Sequence, residues 1–532
     1  MSAAPGPQAE RTHGSALLWL VSLGAIALVA LARLRLLAVP LERDEGEYAY
    51  AAQTLIHGFA PYELAANMKL PGTYYVYALV MAVFGQSREA VHLGLLLANL
   101  AAIAFVFLIA RRLCDTTAGL AAGTAYALMS FGRGVMGTAA HATHFVVLFA
   151  LVAIWLLLRW DESRRAVPLI LSGLCFGLAF LMKQPGVFFG VFGAAYVIAV
   201  LGRELRQGAV IRALASFLLA CAAPYLALCT LLWSQGTFDR FWSWTVDYAR
   251  FYGTAISFGD GFRYLVQSGV GIVLDDPALW LLAGWGLLES WRAPDGRQRA
   301  FVATGLLAAS FLSIVPGLAF RAHYFVQLLP AVALLAGIGL ARACARFSRA
   351  RAALLWVGCL VISIGLQSQQ LFRQTPLEVS RALYGLNPFP EAIAVGAYLR
   401  EHASPYARIA VLGSEPEIYF YAQRLSASSH IYTYALMERQ PLAERMQGEM
   451  IADIESMQPE YVVFVSAATS WPQTERSSTR LLDWWKEYRT QRYALAGIVD
   501  IVSNDETVFK WGAEIANYRP RSSNTIQVYR RV

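Results

Sequence analysis

The chain reads as a polytopic α-helical membrane protein with a soluble α/β domain at its C-terminus. Three observations predict this. Hydrophobic residues fill 57% of 532 positions and the mean hydropathy is +0.45, too high for a soluble enzyme. They gather in long uncharged runs, several of bilayer-spanning length, as far as Leu366. From Leu371 the runs give way to short segments of mixed character.

Charge follows the same division. Lys and Arg stand at 27 against 18 Asp and Glu up to Gln370, and at 17 against 18 after it, so the net +8 separates into +9 and −1. The positive excess belongs to the membrane half and calls for no nucleic-acid partner. All six cysteines precede Gln370, with no CxxC or Cys/His zinc spacing, so the tail has no disulfide to offer.

Taken in order, residues 1–14 read as a disordered cytoplasmic tip. Eleven apolar segments follow, at 15–39, 91–110, 118–136, 143–158, 167–181, 185–201, 213–233, 264–288, 300–319, 324–341 and 352–366. The first is retained, because an acidic cluster and not a small-residue cleavage site follows it. With the N-terminus inside, every second connector is basic: Arg111 and Arg112, then Arg159, Arg164 and Arg165, then Arg203, Arg206 and Arg212. Arg292, Arg297 and Arg299 continue the pattern, and Arg342, Arg346, Arg349 and Arg351 complete it. The positive-inside rule then puts the tail outside. Residues 15–370 form a membrane domain with two exterior segments, 40–90 and 234–263, and 371–532 form an exterior, periplasmic α/β domain. The aromatic run Phe238–Tyr252 reads as an interfacial segment that could rim a groove for a lipid tail.

In the tail, helices are predicted at 389–402, 415–424, 437–457 and 481–488, and strands at 407–412, 461–465, 494–502, 508–511 and 526–529. Their alternation predicts a small layered fold. The tail contains no Gly-rich phosphate loop and therefore no nucleotide chemistry.

The residues able to carry chemistry cluster on the exterior side. Arg43-Asp44-Glu45-Gly46-Glu47-Tyr48 follows the first apolar run directly. Helical spacing puts Asp44, Glu47 and Tyr48 on one face, turns Glu45 away, and allows Arg43 to pair with Glu47. Lys69, in Asn67-Met68-Lys69-Leu70-Pro71-Gly72, places a cation on a Pro/Gly turn of the same loop, and Lys183 stands on a similar turn at Lys183-Gln184-Pro185-Gly186. A preorganised cation beside an acid suits the departure of a phosphate. Arg321, His323 and Tyr324 mark the outer entrance of the tenth segment, and His141 with His144 share a helix face but lack a third metal ligand.

These stretches, with His323-Tyr324-Phe325-Val326-Gln327-Leu328-Leu329-Pro330, resemble the GT-C membrane glycosyltransferases of the protein O-mannosyltransferase and aminoarabinose-transferase type, and above all their bacterial dolichyl-phosphate-mannose-protein mannosyltransferase-like relatives. The resemblance implies a GT-C fold with about 11 transmembrane helices. It implies that Asp44 is the catalytic base, with Glu45 completing the acidic pair, and that Lys69 binds the donor phosphate with Lys183 and Arg321 as further ligands. Glu47, Tyr48, His144, His323 and Tyr324 fall in substrate-binding or supporting places. Two departures bear on specificity: Glu47 stands where the aminoarabinose enzymes carry Arg, and Met68-Lys69-Leu70-Pro71 stands where they carry Glu-Lys-Pro-Pro. Donor and acceptor identity are not carried over.

The expected activity is inverting transfer of a hexosyl or pentosyl group from a polyprenyl-phosphate donor to a lipid, glycan or protein acceptor, at the exterior face of a bacterial inner membrane. No cofactor is required by the sequence. A divalent cation at the acids is left open, since no complete ligand set is visible. Two rivals are a glycolipid transporter or flippase, and a non-catalytic membrane assembly protein. The first predicts charges within the spans, broken helices and internal repeats; the runs contain almost no charge, and no repeat of fixed period is visible.

Overall fold

A computed structural model describes residues 7–202, 207–292 and 297–532; Arg203, Arg206 and the first six residues of the expected tip lie outside the described residues. The chain divides into two compact units, one of residues 1–37, 92–228 and 253–374, the other of 38–91, 229–252 and 375–532. The second unit thus gathers the tail together with two segments that the sequence assigned to the membrane half.

Each of the eleven apolar segments is built mainly of helix, but they are not equal. Among the described residues, seven helices are long and apolar enough to cross a bilayer: Ala16–Arg35, Arg88–Leu113, Ala142–Ser163, Gln184–Leu201, Gly208–Ser234, Leu329–Arg346 and Arg349–Leu366. Thr116–Met129 has only 14 residues, and Ala166–Met182 has 17. The segment at 264–288 corrects the sequence reading. It is not one straight span but two helices, Phe258–Asp275 and Pro277–Arg292, bent by 101°. Pro277 brings no N–H to the ladder. The acids beside it are held sideways: Asp275 accepts from the Gly134 N–H at 2.5 Å, and Gln367 donates to the Asp276 carboxylate at 3.0 and 3.1 Å.

Within the first unit, small residues let helices approach closely, as expected where lipid removes the hydrophobic drive between them. A Cβ on Gly286 would stand 2.8 Å from the backbone nitrogen of Gly339. The Arg33 guanidinium donates to the carbonyls of Gly137 and Ser130 at 2.7 and 2.9 Å, tying the end of the first helix to the loop after Thr116–Met129.

The second unit is built on a six-stranded sheet: β1 Arg408–Leu412, β2 Leu425–Ser426, β3 Tyr461–Val465, β4 Tyr493–Ile501, β5 Thr507–Trp511 and β6 Thr525–Arg531. The order is β2-β1-β3-β6-β4-β5, parallel through β2, β1 and β3 and antiparallel beyond. The run Ile-Ala-Val-Leu of β1 is buried at every position, as a central parallel strand requires. Of the predicted strands all five are present, and only the two-residue β2 was not foreseen. The predicted helix at 437–457 is broken: Tyr434–Met437 ends, and Ala443–Met457 starts after Pro441, whose ring cannot sit inside a helix.

The aromatic segment belongs to this unit. Trp244 and Tyr248, 5% and 3% exposed, pack with Leu436, Met446 and Trp485 in its core. These two rings form an internal anchor, while Trp242 and Phe251 of the same segment stay exposed. Burial of one such ring contributes about 4–6 kcal/mol at most before entropy is subtracted.

Candidate active site

The acidic cluster opens the helix Arg43–Ile56. Its N-cap is Glu42: Glu42 accepts from the Glu45 N–H, while the Glu45 carboxylate accepts from the Glu42 N–H, a reciprocal capping box. The helix is buried along most of its length. It lies so close to the helix Glu417–Ala422 that a Cβ on Gly46 would stand 2.6 Å from the backbone nitrogen of Glu417. Glycine at this position is a packing requirement.

One face of the helix start meets the 67–74 turn. Lys69 Nζ donates to Asp44 Oδ1 and to Glu47 Oε2, each at 2.7 Å. Glu47 is fully buried and also accepts from Asn67 Nδ2 at 2.7 Å and from the Tyr74 hydroxyl at 2.8 Å. The ammonium stands 4.6 Å from the centre of the Tyr48 ring and 5.8 Å from that of Tyr432, so two aromatic faces add to the anionic cradle. The Tyr62 hydroxyl donates to the Lys69 carbonyl at 2.7 Å and fixes the turn.

Burial and neighbours set the protonation states. Burial alone would depress Lys69, but the Asp44 and Glu47 carboxylates outweigh it and hold the ammonium well above the usual lysine range. Burial raises Glu47, with Lys69 opposing the rise. Glu42 is pushed well above its usual value by burial and by its neighbours Asp44 and Glu45. The site is therefore a protonated lysine clamped between two acids. Its ammonium supplies one of the two positive charges that a divalent ion would bring between Asp44 and Glu47.

Helical spacing put Asp44, Glu47 and Tyr48 on one face and Lys69 on a turn of the same loop; the structure joins Lys69 to Asp44 and Glu47 and corrects the partners of the rest. Arg43 does not pair with Glu47. Its guanidinium donates to the Ser414 carbonyl at 2.6 Å, the Tyr434 hydroxyl at 2.9 Å and Glu415 at 3.0 Å, between the rings of Phe389 and Tyr434. Glu45, 1% exposed, serves the capping box.

The remaining candidates lie in the first unit. His323 stacks on His141 with ring centres 4.0 Å apart, and Tyr324 meets His323 edge-on at 4.8 Å. Lys183 Nζ lies 3.7 Å from the centre of the Tyr324 ring. The pair of turns carrying Lys183 and Tyr324 thus forms one cation–aromatic contact. Arg321 directly precedes the short 3-10 helix Ala322–Gln327, and His144 is buried in the first turn of Ala142–Ser163.

Asn67, Tyr74 and Tyr432 were given no role by sequence. Asn67 and Tyr74 flank Lys69 by two and five positions, so the polar residues of an otherwise apolar loop were the available signal. Tyr432 is distant in sequence and gave none.

Comparison with known proteins gives a consistent result. Residues 68–228 match the family described as "Dolichyl-phosphate-mannose-protein mannosyltransferase", a stretch that includes Lys69, His141, His144 and Lys183. An undecaprenyl phosphate-alpha-4-amino-4-deoxy-L-arabinose arabinosyl transferase of Pseudomonas aeruginosa is 32% identical over 149 residues, 26% of this chain. The match spans about a quarter of that relative's length, 27%. Among solved structures, ArnT from Cupriavidus metallidurans, bound to undecaprenyl phosphate, superposes with a TM-score of 0.60 at 15% identity, covering 96% of this chain and 98% of that one. The archaeal oligosaccharyltransferase AglB from Archaeoglobus fulgidus, in complex with an inhibitory peptide and a dolichol-phosphate, gives 0.52 at 13% identity over 94% and 75%. The fold is accordingly the GT-C membrane fold, with a sheet-containing C-terminal domain.

Proposed function

We propose that this chain is a polyprenyl-phosphate-sugar-dependent glycosyltransferase of the bacterial inner membrane, acting at the periplasmic face with its N-terminus in the cytoplasm. The observation that carries the proposal is the lysine held at 2.7 Å by both Asp44 and Glu47. Similarity to transferases that use, or are bound to, lipid phosphates supports it. The transporter and assembly-protein readings are not favoured, because neither explains an acid–lysine pair assembled in this way.

In the proposed reaction Lys69 donates to the donor phosphate the hydrogen bond it otherwise gives to Asp44. The ammonium offers three N–H groups, so it serves the phosphate while Glu47 keeps its hold. Asp44, relieved of its cation, accepts the proton of the acceptor hydroxyl. The hydroxyl oxygen attacks C1 from the face opposite the phosphate, the C1–O bond breaks, and its electron pair leaves on the phosphate, whose growing charge Lys69 stabilises. Arg321 and Lys183 are proposed as additional phosphate ligands, with Tyr48, His144, His323 and Tyr324 in support. Glu45 is assigned to the helix start. The sugar is left as hexosyl or pentosyl, and the acceptor as lipid, glycan or protein. A divalent cation is an optional addition tested below.

Membranes carrying Asp44→Asn are expected to bind labelled donor and to lose transfer by about 10²–10⁴-fold. Transfer at the wild-type rate would remove Asp44 from the role of base.

A further inference from the structure

We infer that the second unit carries a saccharide-binding subsite beside the Lys69 site, in a cavity of about 300 Å³ between the aromatic segment and the tail. Its walls bear Arg240, Trp244, His430, Arg445, Glu449 and Asp453. No part of the reaction described above uses them.

The charges of this cavity are balanced among themselves. Arg445 Nε pairs with Glu449 at 3.3 Å, His430 Nε2 reaches the other Glu449 oxygen at 3.1 Å, and the Ser428 hydroxyl donates to Asp453 at 2.7 Å. Arg240 is fixed by the carbonyls of Tyr62 and Glu63, both at 3.0 Å. An anion entering here meets two carboxylates, and a cation meets two guanidinium groups. A neutral polyol meets neither penalty, because each hydroxyl donates to an acid and accepts from an arginine. The Trp244 indole, tilted against His430 with ring centres 5.8 Å apart, adds an aromatic surface to the same wall. Guanidinium, carboxylate and indole together are the side chains that suit a sugar ring.

The position gives the cavity its use. Ser429 and His430 line it, and the Ser429 carbonyl accepts from the Ala66 N–H at 3.0 Å, so this strand of chain runs alongside the Lys69 turn. Two residues on, Tyr432 places its ring 5.8 Å from Lys69 Nζ. One short segment therefore touches both places, and a saccharide held at its His430 end is a neighbour of the group held at its Tyr432 end. The assignment of this sugar to the acceptor rests on the transferase reading above; the binding of sugar does not.

Saturation-transfer NMR on the full-length protein in detergent tests it, with the methyl glycosides of glucose, mannose and galactose as probes and inorganic phosphate as competitor. At least one glycoside is expected to bind saturably in the millimolar range, with Glu449→Gln and Asp453→Asn each weakening it at least about fivefold. Phosphate is expected not to displace it, and Asp44→Asn is expected to leave it unchanged. In transfer assays Glu449→Gln should raise the acceptor KM and leave the donor KM as it was. No saturable glycoside signal in the wild-type protein, or displacement by phosphate, overturns the subsite whatever Asp44→Asn does to transfer. Loss of the Asp44 assignment with glycoside binding intact would strike only the reaction.

Discussion

Glu47→Gln offers the sharpest test of the Lys69 clamp, because it changes one charge at constant shape. Three donors end on this carboxylate: Lys69, Asn67 and Tyr74. At 2.7 Å the ion pair has a gross attraction of about 6 kcal/mol for an effective dielectric constant near 20. The desolvation of both charges cancels part of it, and removal of one partner from a buried pair costs about 3–5 kcal/mol. Lys69 retains Asp44, so about 3 kcal/mol is the expected loss, equivalent to about 6–12 °C in Tm for a unit of this size. The alkaline limit should move as well. Lys69 has a folded pKa above its unfolded value, so its stabilisation is full below the ordinary lysine range and disappears as pH rises through the elevated value. With one acid gone the elevation shrinks, and unfolding by base should begin at lower pH. Glu47 itself acts in the opposite sense: an acid with a raised pKa lowers stability as pH climbs from its unfolded to its folded value. Thermal unfolding in detergent across a pH series reads all of this. If Glu47→Gln melts within about 1 °C of wild type and keeps the same alkaline limit, the clamp does not exist as described. A cycle with Lys69→Met should show about 1–3 kcal/mol of coupling between the two positions.

Two further substitutions or treatments separate packing from charge. Gly46→Ala pushes a methyl group into the Glu417 backbone, and about 1–3 kcal/mol of destabilisation is expected by denaturant titration, with Asp44 chemistry intact at low temperature. Excess EDTA is expected to leave the melting temperature and the transfer rate unchanged, since Lys69 already stands between Asp44 and Glu47 and cancels one of their two charges; a drop restored by added Mg²⁺ or Mn²⁺ would assign an ion to the site.

The fold class, the helical character of all eleven apolar segments and five of six strands were legible because periodicity and apolar run length are local properties of the chain. So was the shared helix face of Asp44 and Glu47, with a cation in the same loop, whereas the hold of Lys69 on Glu47 was not, because spacing offered that acid to Arg43. What escaped has two physical origins. Breaks at Asp275-Asp276-Pro277 and Pro441 were written in the sequence but lay inside windows whose average composition concealed them. Partners were hidden by distance: Arg43 finds Glu415 from 372 positions away, and no local spacing announces such a pair. The neighbour that spacing did offer, Glu47, was already claimed by Lys69. Composition likewise marked Trp244 and Tyr248 as interfacial, whereas the tail that buries them lies some 190 positions further on.

The long reach of Arg43 has a consequence for how the protein is made. Its guanidinium leaves the ribosome early, while Ser414, Glu415 and Tyr434 follow 371 to 391 residues later. At about 5–20 residues per second this is a wait of roughly 20–75 s. During that interval the start of the acidic helix holds a cation without its anion, so a nascent chain cut short before β1 presents Asp44 on an unanchored helix. The anchor of the acidic helix thus forms only after the last quarter of the chain has begun to appear, whereas Lys69 follows Asp44 by 25 residues.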